Sequence, residues 1–410
     1  MSTSESLEYL RMLNFINNRK AVSLLFLAPV LWITTGMLWD GDGDMRLVPI
    51  VLVIAALSLF VFRFAIIKDN LKSSFWVKLL FINGLFGALA YEVYGFDSRE
   101  LRATLVMLFL FLTTPKNFYT KSAMQWLLFI ASISCSSYSY YYQINVSLFR
   151  GEWPINAIPF ATICGLVSIS SLGLLLTRFE EKNTIVLIVA VTLSMAGLLL
   201  SQSRGPLIAL IVVVFLLLLY VSYRKNWALC VLTLLCLVVG VGGLFKLPVI
   251  QDRIERTIQE YHLIEQGHLN SSIGVRLQMV GIGIELWQRN PMLGYGKDIK
   301  IEFDKLEYEK RITPSLNRLI SMTFHNGYVD KFVLYGLLGG LIFLTFLFYP
   351  IWKARQYTIE RGAVLLWAPA LFVAICNFSD APFINSQAAI YYMFIIGSVT
   401  MILSNEKERE

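Results

Sequence analysis

Apolar blocks long enough to carry a helix through about 30 Å of hydrocarbon, roughly 20 residues each, recur along nearly the whole chain. Their centres fall near Pro29, Ala56, Leu85, Leu108, Ser132, Val167, Val191, Phe215, Cys236, Phe343, Pro369 and Ile395. That pattern predicts an all-α integral membrane protein of about 12 transmembrane helices. Most of the polar links are short: GDGDMR at 41–46, FDSRE at 96–100, PKNFYTK at 115–121, RFEEKN at 178–183 and RKN at 224–226. Short links force antiparallel neighbours, so the blocks should build one compact bundle.

Two polar segments break the rhythm. In the first, near Asn145 to Pro159, Pro154 and Pro159 stop any regular helix, and Arg150, Glu152 and Trp153 lie between the apolar blocks. The second, from Lys246 to Ser321, is far longer and has its own helical period. Ile250, Ile254, Ile258 and Tyr261 form one stripe; Ile273, Leu277, Val280, Ile284 and Trp287 form another, introduced by Ser271 or Ser272 as N-cap. Asn290-Pro291 ends the second helix, Leu293-Gly294-Tyr295-Gly296 reads as a turn, and a lysine-rich piece at 300–311 reads as solvated surface. A long helical loop between spans 9 and 10 is therefore expected, folded as a small cap over one mouth of the bundle. The division is a tail at 1–20, spans 1–9 at 21–247, the cap at 248–320, spans 10–12 at 321–404 and a tail at 405–410.

Composition narrows the class. The chain is 56% hydrophobic and 15% charged, with mean hydropathy +0.62, too apolar for a soluble protein of 410 residues. Lysine and arginine fix the orientation: seventeen, from Arg11 to Arg409, fall on the tail side, against Arg46, Arg99, Arg102, Arg150 and Arg204 in the short segments opposite. That bias puts both tails in the cytoplasm and the cap outside. It also accounts for the net charge of +7, and no basic run resembles a nucleic-acid patch. Cys135, Cys164, Cys230, Cys236 and Cys376 all lie in apolar blocks without zinc-site spacing and read as small core residues. The first twenty residues are polar, which predicts no cleaved signal peptide.

Candidate chemistry collects on the outer side. Arg204, in SQSRGP, sits in a tight hairpin where its planar fork suits phosphate oxygens; the competing reading is an arginine snorkelling at a helix end. Arg276, in SIGVRL, lies in the first turn or so of the second loop helix, where the positive end of the helix adds to its charge; the competing reading is a solvated arginine. His325, in FHNGY, stands where the chain re-enters the bilayer, near Asn326, Asp330 and Lys331. An imidazole there can take a proton from a hydroxyl without a metal, although a lone histidine is often structural. Arg46, Arg150, Glu152 and Asp380 serve equally well as interfacial anchors. Asp42 and Asp44 have the spacing of an Asp-x-Asp motif but read as an acidic turn, and no Walker lysine motif, GxSxG elbow or HExxH helix occurs. Arginines with one histidine suit transfer from a diphosphate-linked lipid, with no cofactor and no metal: the cations hold the leaving diphosphate while the imidazole deprotonates an acceptor hydroxyl.

The span pattern, SQSRGP, the loop segment VRLQMVGIGIELWQRNPMLGYG and the HNGY re-entry together resemble the bacterial O-antigen ligases of the wider O-antigen ligase and polymerase superfamily. The likeness is clearest from about Leu198 to Gly340, and it is less specific for ligase over polymerase. It implies a glycosyltransferase of the bacterial inner membrane with its active site on the periplasmic face. Such an enzyme would move O-polysaccharide from undecaprenyl diphosphate to the lipid A-core oligosaccharide, among membrane lipids, with inversion at the anomeric carbon. Carried over by motif, Arg204 and Arg276 would hold the donor diphosphate, His325 would activate the acceptor, Arg46 matches a further basic position, and Asp380 is placed to pair with one of the arginines. Arg150 stays a supporting candidate. An O-antigen polymerase using the same donor is the alternative, and a polysaccharide transporter or flippase the rival from another class.

Overall fold

A computed structural model of the chain describes residues 20–95, 97–146, 153–177, 184–225, 231, 248–359 and 361–409. Among these there is no strand. The helices are α1 (Lys20–Thr34), α2 (Gly43–Phe62), α3 (Ala65–Ser73), α4 (Phe75–Tyr94), α5 (Ser98–Thr113), α6 (Lys121–Tyr141), α7 (Ala157–Leu176), α8 (Thr184–Leu200) and α9 (Arg204–Lys225). After them come α10 (Pro248–Glu265), α11 (Ser272–Arg289), α12 (Ile299–Tyr308), α13 (Pro314–Ile320), α14 (Gly327–Ala354), α15 (Ala363–Ser379) and α16 (Ser386–Arg409). Every predicted span centre except Cys236 lies inside a helix of this series; Cys236, Arg150 and Glu152 fall outside the described residues.

By length and composition α2, α4, α7, α9, α14 and α16 can each cross a bilayer, and three shorter apolar helices, Leu25–Trp39, Thr184–Leu200 and Ala363–Ser379, join them. The chain is a multi-pass membrane protein. α5 and α6 are more polar, because α5 opens with Arg99, Glu100 and Arg102 and α6 carries serines and tyrosines along its length.

Packing sorts the helices by composition. In α16, 94% of the most apolar window is buried, and in α7 78%, against half or less elsewhere, so these two form the centre. Both approach their neighbours through glycine: a Cβ on Gly165 would overlap the Phe372 ring, and one on Gly397 the Phe111 ring. Small residues at helix crossings are how packing replaces the hydrophobic drive inside a membrane. The outer helices instead expose Val53, Phe60, Leu89 and Ile185, as lipid-facing surfaces do.

The cap has a small core of its own. Met279, Leu286, Phe303, Leu306, Leu316 and Ile320 are buried together with Phe324, just before α14, and Val333 within it. α11 starts at the N-cap Ser271, whose hydroxyl accepts from the Gly274 amide at 3.1 Å, and stops at Asn290 before Pro291. Its buried face is not the expected stripe: Leu277 and Ile284 are exposed, while Gly274, Met279, Gly283 and Leu286 face inward. Two glycines explain the rotation. A hydrophobicity count gives them no weight, yet Gly283 lies so close to Val329 and Phe324 that a Cβ would overlap both. Likewise Ile258 and Tyr261 of α10 are exposed, and the adjacent polar residues Thr257 and Glu260 meet the bundle at Arg204. The Arg311 guanidinium, hydrogen-bonded to Glu285 at 2.7 and 3.1 Å, holds that carboxyl below its ordinary range.

α14 is broken at Gly336, where φ is +61° and ψ is −162°. The cap fills the break. Leu337 N donates to Pro291 O and Tyr295 N donates to Val333 O, both at 2.9 Å. A Cβ on Gly294 would overlap Gly336 N and Leu334 O, and one on Gly336 would overlap Met292 O. Irregular backbone among spans survives where protein buries it and satisfies its hydrogen bonds, and this turn does both. The first half of α14 is further tied to α5 by a buried ion pair between Lys331 and Glu100.

Candidate active site

His325 and Asp380 form the centre of the site. The His325 Nδ1 lies 3.1 Å from Asp380 Oδ1, with the two side chains 29% and 14% exposed, so the pair is sheltered but reachable. Facing a carboxylate acceptor, Nδ1 is the donor side of the pair, and Nε2 is the nitrogen left for another partner. Among the described residues nothing hydrogen-bonds to Nε2.

The local sequence builds this geometry. Asn326 caps α14, its Oδ1 accepting from the amides of Tyr328 and Val329 at 3.1 Å, and its Nδ2 donates to Phe378 O at 3.1 Å. Gly327 N donates to Asp380 O at 3.0 Å, and a Cβ on Gly327 would overlap Asn377 Oδ1, so only glycine fits. The His-Asn-Gly triplet is thereby zipped to the end of α15. His325 itself has φ +52°, a left-handed conformation that a non-glycine residue holds only under constraint. The constraint comes from below. Buried Asp330 accepts from Phe324 N at 3.0 Å and from the Thr323 hydroxyl at 2.7 Å, and that hydroxyl accepts from His325 N at 3.0 Å.

Arg204 joins the same place from the other side of α15. Its hairpin is as tight as expected: Gln202 is left-handed at φ +54°, and the Ser203 hydroxyl donates to Ala157 O at 3.0 Å at the start of α7. Gly205 lies directly against Ser379, the residue before Asp380. The Arg204 Nη1 donates to Thr257 Oγ1 at 3.3 Å and lies 3.6 Å from Glu260 Oε1, both on α10. Glu260 Oε2 in turn accepts from Ile273 N at 3.3 Å, in the first turn of α11. Arg276 follows on that helix, half-buried, and among the described residues it has no ion pair or hydrogen bond. A continuous series of contacts thus runs from His325 through Asp380, Ser379, Gly205, Arg204 and Glu260 to the helix that bears Arg276.

The remaining candidates divide. Asp380, expected to pair with an arginine, pairs with His325 instead, because the backbone zipper sets it beside the imidazole. Arg46 sits at the start of α2, 67% exposed, with its Nε 2.6 Å from Asp40, and it meets none of the other candidates. Asp44 of the same turn is buried against Arg102 at 2.6 Å, which fits the reading of that acidic turn as structural. Glu260 and Thr257 were not legible as site residues. Their one signal is i, i+3 spacing on the polar side of an amphipathic loop helix, which is common to solvated faces.

The chain is thus a multi-pass membrane protein with a sheltered histidine–aspartate pair next to the Arg204 hairpin. Residues 188–344 match the model of the O-antigen ligase family. The match takes in Arg204, Arg276 and His325, so the resemblance read from SQSRGP, the WQRNP segment and HNGY holds over that stretch; Arg46, Arg150 and Asp380 lie outside it. The chain is also 24% identical over 212 residues to an uncharacterized protein of Haemophilus influenzae, across 49% of this chain and 53% of the relative. It therefore spans about half the length of that curated relative.

Proposed function

We propose that this protein is an O-antigen ligase of the bacterial inner membrane, transferring O-polysaccharide from undecaprenyl diphosphate to the lipid A-core oligosaccharide at the periplasmic face. The observation that carries the reading is the His325–Asp380 pair, 3.1 Å apart and one residue removed from the Arg204 hairpin, beside a segment that matches the family. In the reaction, the acceptor hydroxyl oxygen bonds to the anomeric carbon of the donor. The bond from that carbon to the diphosphate oxygen breaks, and the hydroxyl proton passes to His325 Nε2. Asp380 stabilises the imidazolium that forms. Arg204 and Arg276 neutralise the charge gathering on the leaving diphosphate, and undecaprenyl diphosphate departs. Attack from the face opposite the leaving group inverts the anomeric configuration, and cleavage of the donor supplies the driving force. Arg46 is a second contact for donor or acceptor phosphate only if its pairing with Asp40 opens.

The second reading is an O-antigen polymerase, favoured by the same residues because the donor is the same and only the acceptor differs. Deleting the gene separates the two. A ligase deletion leaves long polymer on its lipid carrier; a polymerase deletion leaves single repeat units on the core. His325→Ala in the folded protein should reproduce the ligase-deletion profile, and normal capping of the core in that variant would remove the histidine from the mechanism.

A further inference from the structure

Glu260 is an anion standing among the groups that the proposed reaction reserves for another anion. One of its oxygens faces the Arg204 guanidinium and the other takes the Ile273 amide in the first turn of α11. Its side chain is 19% exposed, and Arg204 is 36% exposed. Yet both contacts are long, 3.6 and 3.3 Å, where a charge-assisted bond between committed partners closes to about 2.7–2.9 Å. Arg204 also has a neutral partner in Thr257, one turn before Glu260 on the same face of α10, so it stays oriented without the carboxylate. Arg276, by contrast, has no counter-charge among the described residues.

We propose that Glu260 is a charge placeholder. Its carboxylate balances Arg204 and the α11 amide while the site is empty, gives way to the donor diphosphate, and returns to help expel undecaprenyl diphosphate after transfer. The inference rests on the ligase reading, which makes Arg204 a diphosphate-binding residue. Its physical content is a trade. A like charge beside the ligand weakens binding of every diphosphate species, donor and product alike. Turnover gains because the product, which keeps the whole diphosphate, otherwise holds the site as tightly as the donor. The role is one of tuning release, distinct from the chemistry at His325.

Glu260→Gln tests it: the amide oxygen still accepts from Ile273 N, the NH₂ replaces the charged oxygen that faces Arg204, and Thr257 still holds the guanidinium. Full-length protein in nanodiscs is titrated with inorganic diphosphate by calorimetry, and donor turnover is measured alongside. Glu260→Gln should bind diphosphate about tenfold more tightly, with lower donor KM and lower kcat, because removing one like charge near a half-exposed site shifts affinity by that order. Glu260→Asp, which restores the charge, should return both constants toward wild type. Unchanged or weaker diphosphate binding in a Glu260→Gln protein with wild-type thermal stability, alongside a loss of binding in Arg204→Ala, overturns the placeholder role and leaves the ligase reading standing. A Glu260→Gln protein that melts early and is not rescued by Glu260→Asp makes the residue structural and also overturns it. Diphosphate binding that is indifferent to Arg204→Ala overturns the site assignment itself.

Discussion

Asp380→Asn isolates the electrostatic half of the proposed base. In the protein Asp380 Oδ1 sits 3.1 Å from His325 Nδ1 and also accepts from Ala381 N at 2.9 Å. Asparagine keeps an acceptor oxygen for both, so the loop should keep its shape. What disappears is the negative charge facing the imidazolium that forms when the acceptor proton moves. Two unit charges about 4 Å apart interact by about 4 kcal/mol at an effective dielectric near 20. The pair is 29% and 14% exposed, and water screens part of that. Roughly 2–3 kcal/mol remains, equivalent to a fall in kcat of about 30- to 150-fold. If the amide turns its NH₂ toward the ring, the tautomer inverts and the loss grows toward ~10⁴-fold. The assay is steady-state transfer by purified protein in nanodiscs, with lipid-linked donor and lipid A-core acceptor, scored for kcat and for both KM values. Donor KM should stay near wild type, since the diphosphate contacts are elsewhere. Combined with His325→Ala, the substitution should add nothing, because both act through one proton. A kcat within about threefold of wild type would refute the assignment of Asp380 as the residue that polarises His325.

Three further outcomes follow from the packing. Gly327→Ala drives a methyl group into Asn377 Oδ1 and should cost about 1–3 kcal/mol while unzipping His325 from α15, read as a lower melting temperature together with lost transfer. Lys331→Met leaves Glu100 buried and unpaired, a penalty of about 3–5 kcal/mol; adding Glu100→Leu should recover most of it in thermal unfolding, and a double variant as unstable as the single one would show that the pair is not the cause. Glu285, whose pKa is depressed from its ordinary 4.5 by Arg311, stabilises the cap at pH above that value, and the contribution drains away as the pH falls through the lowered pKa. Acid should therefore loosen the cap, seen as faster proteolysis of the α11–α12 region, and Glu285→Gln should flatten that dependence, though modestly, because the carboxylate is 37% exposed.

Much of the bundle was legible because membrane spans announce themselves by length: nine of the twelve proposed centres fall in helices apolar enough to be spans or shorter apolar segments, while Leu108 and Ser132 fall in the more polar α5 and α6. The site was legible in part, for a different reason. An arginine in a three-residue hairpin and a histidine at a re-entry point stand out against an apolar background, so Arg204 and His325 were found by contrast. Asp380 was seen but matched to the wrong partner, since no spacing rule connects it to a histidine that the chain places one whole hairpin of helices earlier. Glu260 was missed because an acid on a loop helix looks the same whether it faces water or a guanidinium. The orientation of α11 was also misjudged, since glycine, silent in any hydrophobic count, turned out to mark its closest contacts. The motif from Asn290 to Gly296 read as a turn, and a turn it is, but nothing in its composition says that a helix elsewhere is interrupted to receive it.

That interruption makes the loop before α14 and α14 itself a single structural part. Peptide groups freed at Gly336 are partnered by Pro291 and Tyr295, so neither piece is finished until the other lies beside it. For anyone grafting this loop between relatives, the crossover points belong upstream of Asn290 and downstream of Leu337; a seam inside that interval would separate two halves of one joint.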